Sequence, residues 1–331
     1  MPGSAPGTSA GAKRRLGALF AITNYVDITS MPQTAVFFLG NSAWPEFQAA
    51  VAAIERCADL TVARDVDAAA AAMEAGRTTP DLLVIAQVYP GEFSPDAVDR
   101  LRRLAPLAPV VGLLGSWCEG EMRSGQPWPG SARVYWHQWP ARCRRELLRI
   151  AEGANSVWTL PATATDEERL LVEIEDRCKK SSRHAPHAVR HGTRSVPATM
   201  GVVVLVTRQR AMYEWLADAL RPWCDATVWL HPARPAVVQG AAAVVLDGTD
   251  GCGNELEQIG DLAARFRPAP LVVLLDFPRF EDQQRVLAAG ATAVLAKPLL
   301  VEDLLEEMKR AISPIEAAHG TAEHAERRMR R

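Results

Sequence analysis

The chain has 331 residues, 48% of them hydrophobic and 23% charged, with a formal net charge of −2. That length accommodates about two domains, and so small a charge supplies no field that would hold nucleic acid or a membrane surface. The six cysteines, at 57, 118, 143, 178, 224 and 252, are widely spaced and form no C-x-x-C pair. They argue against a zinc site or a disulfide framework and for a reducing cytoplasm.

At the N-terminus Lys13-Arg14-Arg15 precede the apolar run LGALFAITNYV, residues 16–26. The run is short, contains Asn24 and Tyr25, and is followed by no small-residue cleavage pattern, so residues 1–32 read as a disordered tail rather than a secretory signal. Met31 stands as an alternative start. No stretch reaches the ~18 apolar residues needed to span a membrane.

From Thr34 the pattern alternates between strand and helix. TAVFFLG (34–40) is a continuous apolar run, as expected of a strand buried on both faces. Phe47, Ala50, Val51 and Ile54 follow at helical spacing, with Ser42 as the expected N-cap. LTVAR (60–64), a helix at 66–75, DLLVIA (81–86), a helix from Pro95 to Leu104, PVVGLL (109–114), ARVYWHQ (132–138) and a helix from Arg142 to Ala151 complete a first unit, residues 34–152. Residues 115–131, GSWCEGEMRSGQPWPGS, lack helical periodicity.

Residues 153–199 read as a linker with one short amphipathic helix, about 166–178, opened by a Thr165/Glu168 capping box. From Lys179 to Met200 there is no acid, and Lys179, Lys180, Arg183, Arg190 and Arg194 are basic. His184, His187 and His191 lie in this stretch and read as solvated linker rather than metal ligands.

The alternation then repeats over 200–312: strands GVVVLV (201–206), ATVWL (226–230), AAVVL (242–246), LVVLL (271–275) and AVLA (293–296), with helices between them and a last helix carrying Val301, Leu304, Leu305 and Met308 on one face. Residues 313–331 form a charged tail. Strands alternating with helices imply right-handed crossovers and parallel sheets, hence two tandem α/β domains. In such sheets functional groups gather at the carboxyl ends of strands. In the second unit those ends carry Thr207-Arg208, Asp247, Leu275 and Lys297. A lysine closing a buried apolar strand needs an anionic partner, and Asp247 is the obvious one.

VVVLVTRQR, AAAVVLDGTD and GATAVLAKPLLVEDLLEEMKRAI resemble the receiver domain of two-component response regulators, well over about 200–312 and more faintly over 34–152. The resemblance implies two flavodoxin-like (βα)5 domains with parallel sheets. It implies that Asp247 is the phosphoacceptor position, that Lys297 contacts the phosphoryl group, and that Pro298 follows a cis peptide. The departures are large. Thr207-Arg208 stand where the family carries an acidic pair for Mg²⁺, so metal binding is expected to be lost and no cofactor remains. Leu275 takes the switch position normally held by Ser or Thr. In the first unit Gly40-Asn41 replace the acidic pair, Ala86 or Gln87 the phosphoacceptor, Leu114 the switch residue and Trp139-Pro140 the Lys-Pro.

Two readings of the Asp247–Lys297 pair follow: an ion pair without function, with Arg208 as a third member, or a residual phosphoacceptor. GCGNELEQIG (251–260) is not G-x-G-x-x-G and follows the wrong strand for a nucleotide loop. Trp117, Trp128, Trp136 and Trp139 mark either a partner or interdomain surface, since aromatics are enriched at contacts, or core packing. The expected protein is therefore a cytoplasmic signalling adaptor of two pseudo-receiver domains that acts by protein–protein contact, without catalysis. Its partners would be other signalling proteins, a histidine kinase among them, with neither nucleic acid nor membrane. The alternative is a phosphorelay response regulator that still uses Asp247.

Overall fold

Apolar runs bounded by turn residues become strands throughout the computed structural model, which describes residues 34–76, 79–161, 163–165, 167–169, 171–172, 199–234 and 236–312. The stretches read as an N-terminal tail (1–32), a basic histidine-containing linker (179–194) and a C-terminal tail (313–331) lie outside the described residues.

The first unit runs β1 (Ala35–Leu39), α1 (Pro45–Glu55), β2 (Asp59–Ala63), α2 (Val66–Glu74), β3 (Leu82–Gln87), α3 (Pro95–Leu104), β4 (Val110–Leu114), α4 (Glu121–Ser124), β5 (Ala132–Tyr135) and α5 (Trp139–Ala151). Its five strands are parallel, in the order β2-β1-β3-β4-β5. The second unit runs β6 (Val202–Val206), α6 (Arg210–Leu220), β7 (Ala226–Leu230), β8 (Ala241–Asp247), α7 (Asn254–Arg265), β9 (Leu271–Asp276), α8 (Phe280–Ala288), β10 (Ala293–Lys297) and α9 (Val301–Ile312). Its sheet has the equivalent order, β7-β6-β8-β9-β10, again parallel. This is the doubly wound, flavodoxin-like 2-1-3-4-5 arrangement, present twice.

Strand alternation divides each core into two layers. In β1, Val36 and Phe38 face α1 and α5, against Phe47, Ile54, Trp139 and Leu147. Phe37 and Leu39 face α2 and α3, against Ala69, Ala70, Val98 and Leu101. In the second unit Val203 and Leu205 pack on α6 and α9, while Val204 and Val206 pack on α7 and α8. The central strands of both sheets are covered on both faces, which is why they read as unbroken apolar runs, while the edge strands β2 and β7 are partly exposed.

Two boundaries differ from the sequence reading. Helix α1 begins after Trp44 rather than at a Ser42 cap, with Pro45 in its first turn and no side-chain cap bond; proline's fixed φ starts the helix instead. The linker does not begin at 153. Ser156 caps a 3-10 turn at Val157–Thr159, and Trp158, 3% exposed, stacks on Trp139 at 4.8 Å. The Thr165/Glu168 capping box is present, the Thr165 amide donating to Glu168 Oε2 at 2.8 Å and the Glu168 amide to Thr165 Oγ1 at 3.2 Å.

The two units touch through equivalent helices, α5 and α9. Asp303 of α9, 2% exposed, accepts from Arg142 Nε at 3.0 Å and Arg145 Nη1 at 2.9 Å, both on α5. Ala141 of α5 lies within the second unit's apolar layer, and Phe280 at the start of α8 packs on the first unit's layer.

Candidate functional site

The second unit concentrates its polar groups where β6, β8, β9 and β10 end. Register places them: Val206 pairs with Leu246, so Thr207 lies beside Asp247, and Lys297 pairs directly with Asp276. Asp247 is nearly enclosed, its side chain 9% exposed. One carboxylate oxygen accepts from Lys297 Nζ at 2.8 Å and the other from Thr207 Oγ1 at 2.7 Å. Lys297 also donates to the Gly248 carbonyl at 2.7 Å and meets Asp276 Oδ1 at 3.0 Å. Three acceptors thus satisfy the three ammonium protons. Burial works against the charged lysine, but the hydrogen bonds and charges of Asp247 and Asp276 outweigh it and hold the Lys297 pKa above its ordinary value. The Lys297–Pro298 peptide is cis.

Arg208 is not the third member of this cluster. It is exposed and forms no ion pair with the described acids. Successive side chains alternate along an extended strand, so Thr207 turns inward and Arg208 outward. Asp276, overlooked in the sequence, takes that place. Leu275, read as the switch position, is fully buried in the layer beneath α7 and α8. The glycine-containing loop at 248–253 is closed by its own chain: Glu255 accepts from the Thr249 amide at 2.8 Å and the Gly251 amide at 2.7 Å. Among the described residues no group of three His, Cys, Asp or Glu side chains is placed to hold a metal ion.

In the first unit the same register resolves which residues correspond. Leu39 pairs with Ile85, which sets Gly40 and Ala86 opposite each other where the second unit has Thr207 and Asp247. Leu114 pairs with Tyr135, so Gly115 and Trp136 correspond to Asp276 and Lys297. The counterpart of Lys297 is therefore Trp136 and not Trp139, which opens α5. Gly40 has φ +130°, and a Cβ there would lie 2.5 Å from the Ala86 carbonyl oxygen, so the strand ends have closed on each other. Gln87, the other register considered, is one step further on and 1% exposed; it donates to Glu121 Oε1 at 3.1 Å. Glu121 in turn pairs with Arg133 at 2.5 Å.

Of the four tryptophans read as either contact surface or core, three are buried: Trp128, Trp136 and Trp139. Trp128 donates to the Phe93 carbonyl at 2.8 Å and lies over Gly112, where a Cβ would be 3.2 Å from the indole. With α4 only four residues long, this indole covers that part of the sheet. Trp139 is core. Trp136 donates to Ser116 Oγ at 3.0 Å and meets Phe280 of the second unit, ring centroids 5.9 Å apart, so it serves the contact between units. Trp117 alone is open to solvent, 73% exposed. Beside Trp136, buried His137 has its pKa lowered to about 4, by burial first and by the Arg142 charge second.

No family model and no curated protein matches this chain. Solved structures do. A response regulator from Thermotoga maritima is similar at 20% identity, covering 35% of this chain and 99% of that one, with a TM-score of 0.29. A response regulator receiver protein from Pseudoalteromonas atlantica is similar at 16% identity, covering 34% and 96%, with a TM-score of 0.28. The N-terminal signal receiver domain of a response regulator from Bacteroides fragilis is similar at 17% identity, covering 34% and 97%, with a TM-score of 0.28.

Proposed function

We propose that this chain is a signalling adaptor built of two pseudo-receiver domains, acting through protein–protein contact and independently of phosphorylation. The observation that carries this reading is the state of Asp247. Both its oxygens are engaged, by Thr207 and Lys297, and the place beside it that would hold a metal-binding acid is a hydroxyl. Phosphoryl transfer depends on a cation to neutralise developing charge. With no acid pair to hold Mg²⁺, transfer to Asp247 is slow or absent. The first unit supports the same reading, since Gly40, Ala86, Gly115 and Trp136 offer neither acceptor nor cation.

A phosphoacceptor response regulator is the second reading, favoured by one observation: Lys297 stands 2.8 Å from Asp247 and could as readily hold a phosphoryl oxygen there. The two separate by incubation of the full chain with acetyl phosphate and Mg²⁺, followed by intact mass, with Asp247→Asn alongside. The adaptor predicts no added mass. A phosphoryl adduct that disappears in Asp247→Asn would establish the response regulator instead.

A further inference from the structure

The first unit has lost its polar cluster but keeps a crevice at the same end of its sheet. In a 2-1-3-4-5 sheet the chain turns from β1 into α1 on one face and from β3 into α3 on the other, so the loops beyond the closed strand ends diverge at the switch point, the usual place for a ligand. A cavity of about 330 Å³ opens there, lined by Asn41, Trp44, Val88, Tyr89, Glu92 and Trp117. That volume suits a small molecule.

The chemistry of the walls limits what would enter. Three of the six lining side chains are aromatic, one is a carboxylate and none is basic. Tyr89 and Trp117 are 55% and 73% exposed, a large apolar surface left to water at the rim. Glu92 is fixed in the wall by the Val88 amide, which donates to its Oε2 at 2.6 Å. Further negative charge stands behind it. Glu46 is 9% exposed and tied to Ser116, next to Trp117. Glu119 has its pKa raised by burial and by the Glu46 charge, against an opposing pull from Arg279. A carboxylate or phosphoryl ligand would be repelled here. A cation is attracted both by carboxylates and by the negative faces of aromatic rings.

We propose that this crevice binds a small organic cation, an ammonium or planar heteroaromatic cation whose apolar body lies against Trp44, Tyr89 and Trp117 and whose charge faces Glu92. The site is separate from Asp247 and does not depend on the adaptor reading.

The test is saturation-transfer NMR on the full chain with choline and benzyltrimethylammonium, and with 3,3-dimethylbutan-1-ol as the neutral isostere of choline. The expected result is saturable binding of the cations and at least about tenfold weaker binding of the alcohol, equivalent to ~1.4 kcal/mol. Trp117→Ala, at an exposed position, and Glu92→Gln, which keeps an acceptor for the Val88 amide, should each weaken the cations by a similar factor. Trp215→Ala, exposed on the other unit, should leave them unchanged. The proposal is overturned if neither cation saturates by ~50 mM, a ceiling already weaker than most specific sites. It is equally overturned if the alcohol binds as well as choline, or if Trp117→Ala and Glu92→Gln bind like the parent.

Discussion

Position for position, Thr207, Asp247, Asp276 and Lys297 of the second unit correspond to Gly40, Ala86, Gly115 and Trp136 of the first. The backbone register is the same; the chemistry is opposite. One strand end is held by an ammonium shared among three oxygens, the other by an indole and by backbones close enough to exclude a Cβ. The replacement is complete in the first unit because each polar group is another's partner. Removing one leaves a poorly hydrated charge behind, which costs more than removing all. In this chain the cluster is present in one unit and replaced at all four places in the other.

The largest effect is expected at Trp136. Trp136→Ala removes a 2% exposed indole, its bond to Ser116 and its contact with Phe280. A loss of about 3–5 kcal/mol is expected in guanidinium unfolding.

Next in size is the acid response of the first unit. His137 ordinarily titrates at 6.5 but is lowered to about 4 in the fold, by burial first and then Arg142. The unfolded chain therefore takes up a proton that the folded chain refuses. Stability should fall as pH drops through 6.5, by about 3 kcal/mol, and level off below about 4. His137→Phe should remove that slope in urea titrations between pH 7 and 4. An unchanged slope would assign it elsewhere.

The second unit should answer on the alkaline side. Lys297→Met strands Asp247 among buried neighbours, at a cost of about 1–3 kcal/mol near neutrality. The folded lysine titrates above its ordinary 10.5, so the stability it contributes is fully present below that value and lost as pH rises through the raised one. The gap between parent and variant should stay constant up to about pH 10 and close beyond it. The smallest effect is expected for Thr207→Val, which removes one hydroxyl donor from Asp247 and should cost about 1 kcal/mol. A larger loss would mean that Thr207 organises the site rather than completing it.

The fold was legible in the sequence because strands covered on both faces leave long apolar runs, and Asp247 and Lys297 were legible because charges ending such runs demand each other. The errors came from counting along the chain where register decides. Leu275 and Asp276 are adjacent, yet a shift of one residue reverses the face of a strand, and only Asp276 reaches Lys297. Likewise Trp139-Pro140 matches Lys-Pro as a string, while the pairing of Leu114 with Tyr135 gives the place to Trp136. Composition could not tell buried tryptophan from exposed. Trp128 is buried because α4 is short and Gly112 leaves room, facts that no single window contains. The aromatic crevice was hidden for a similar reason, since its walls come from segments after β1, β3 and β4.

The clasp of Arg142 and Arg145 on Asp303 sets two like folds helix to helix within one polypeptide. Separate subunits joined by such a contact would part on dilution. Here the covalent link fixes their stoichiometry at one to one, and local concentration rather than bulk concentration governs their contact. Whatever each unit binds is consequently presented at a set spacing and angle, however scarce the protein becomes.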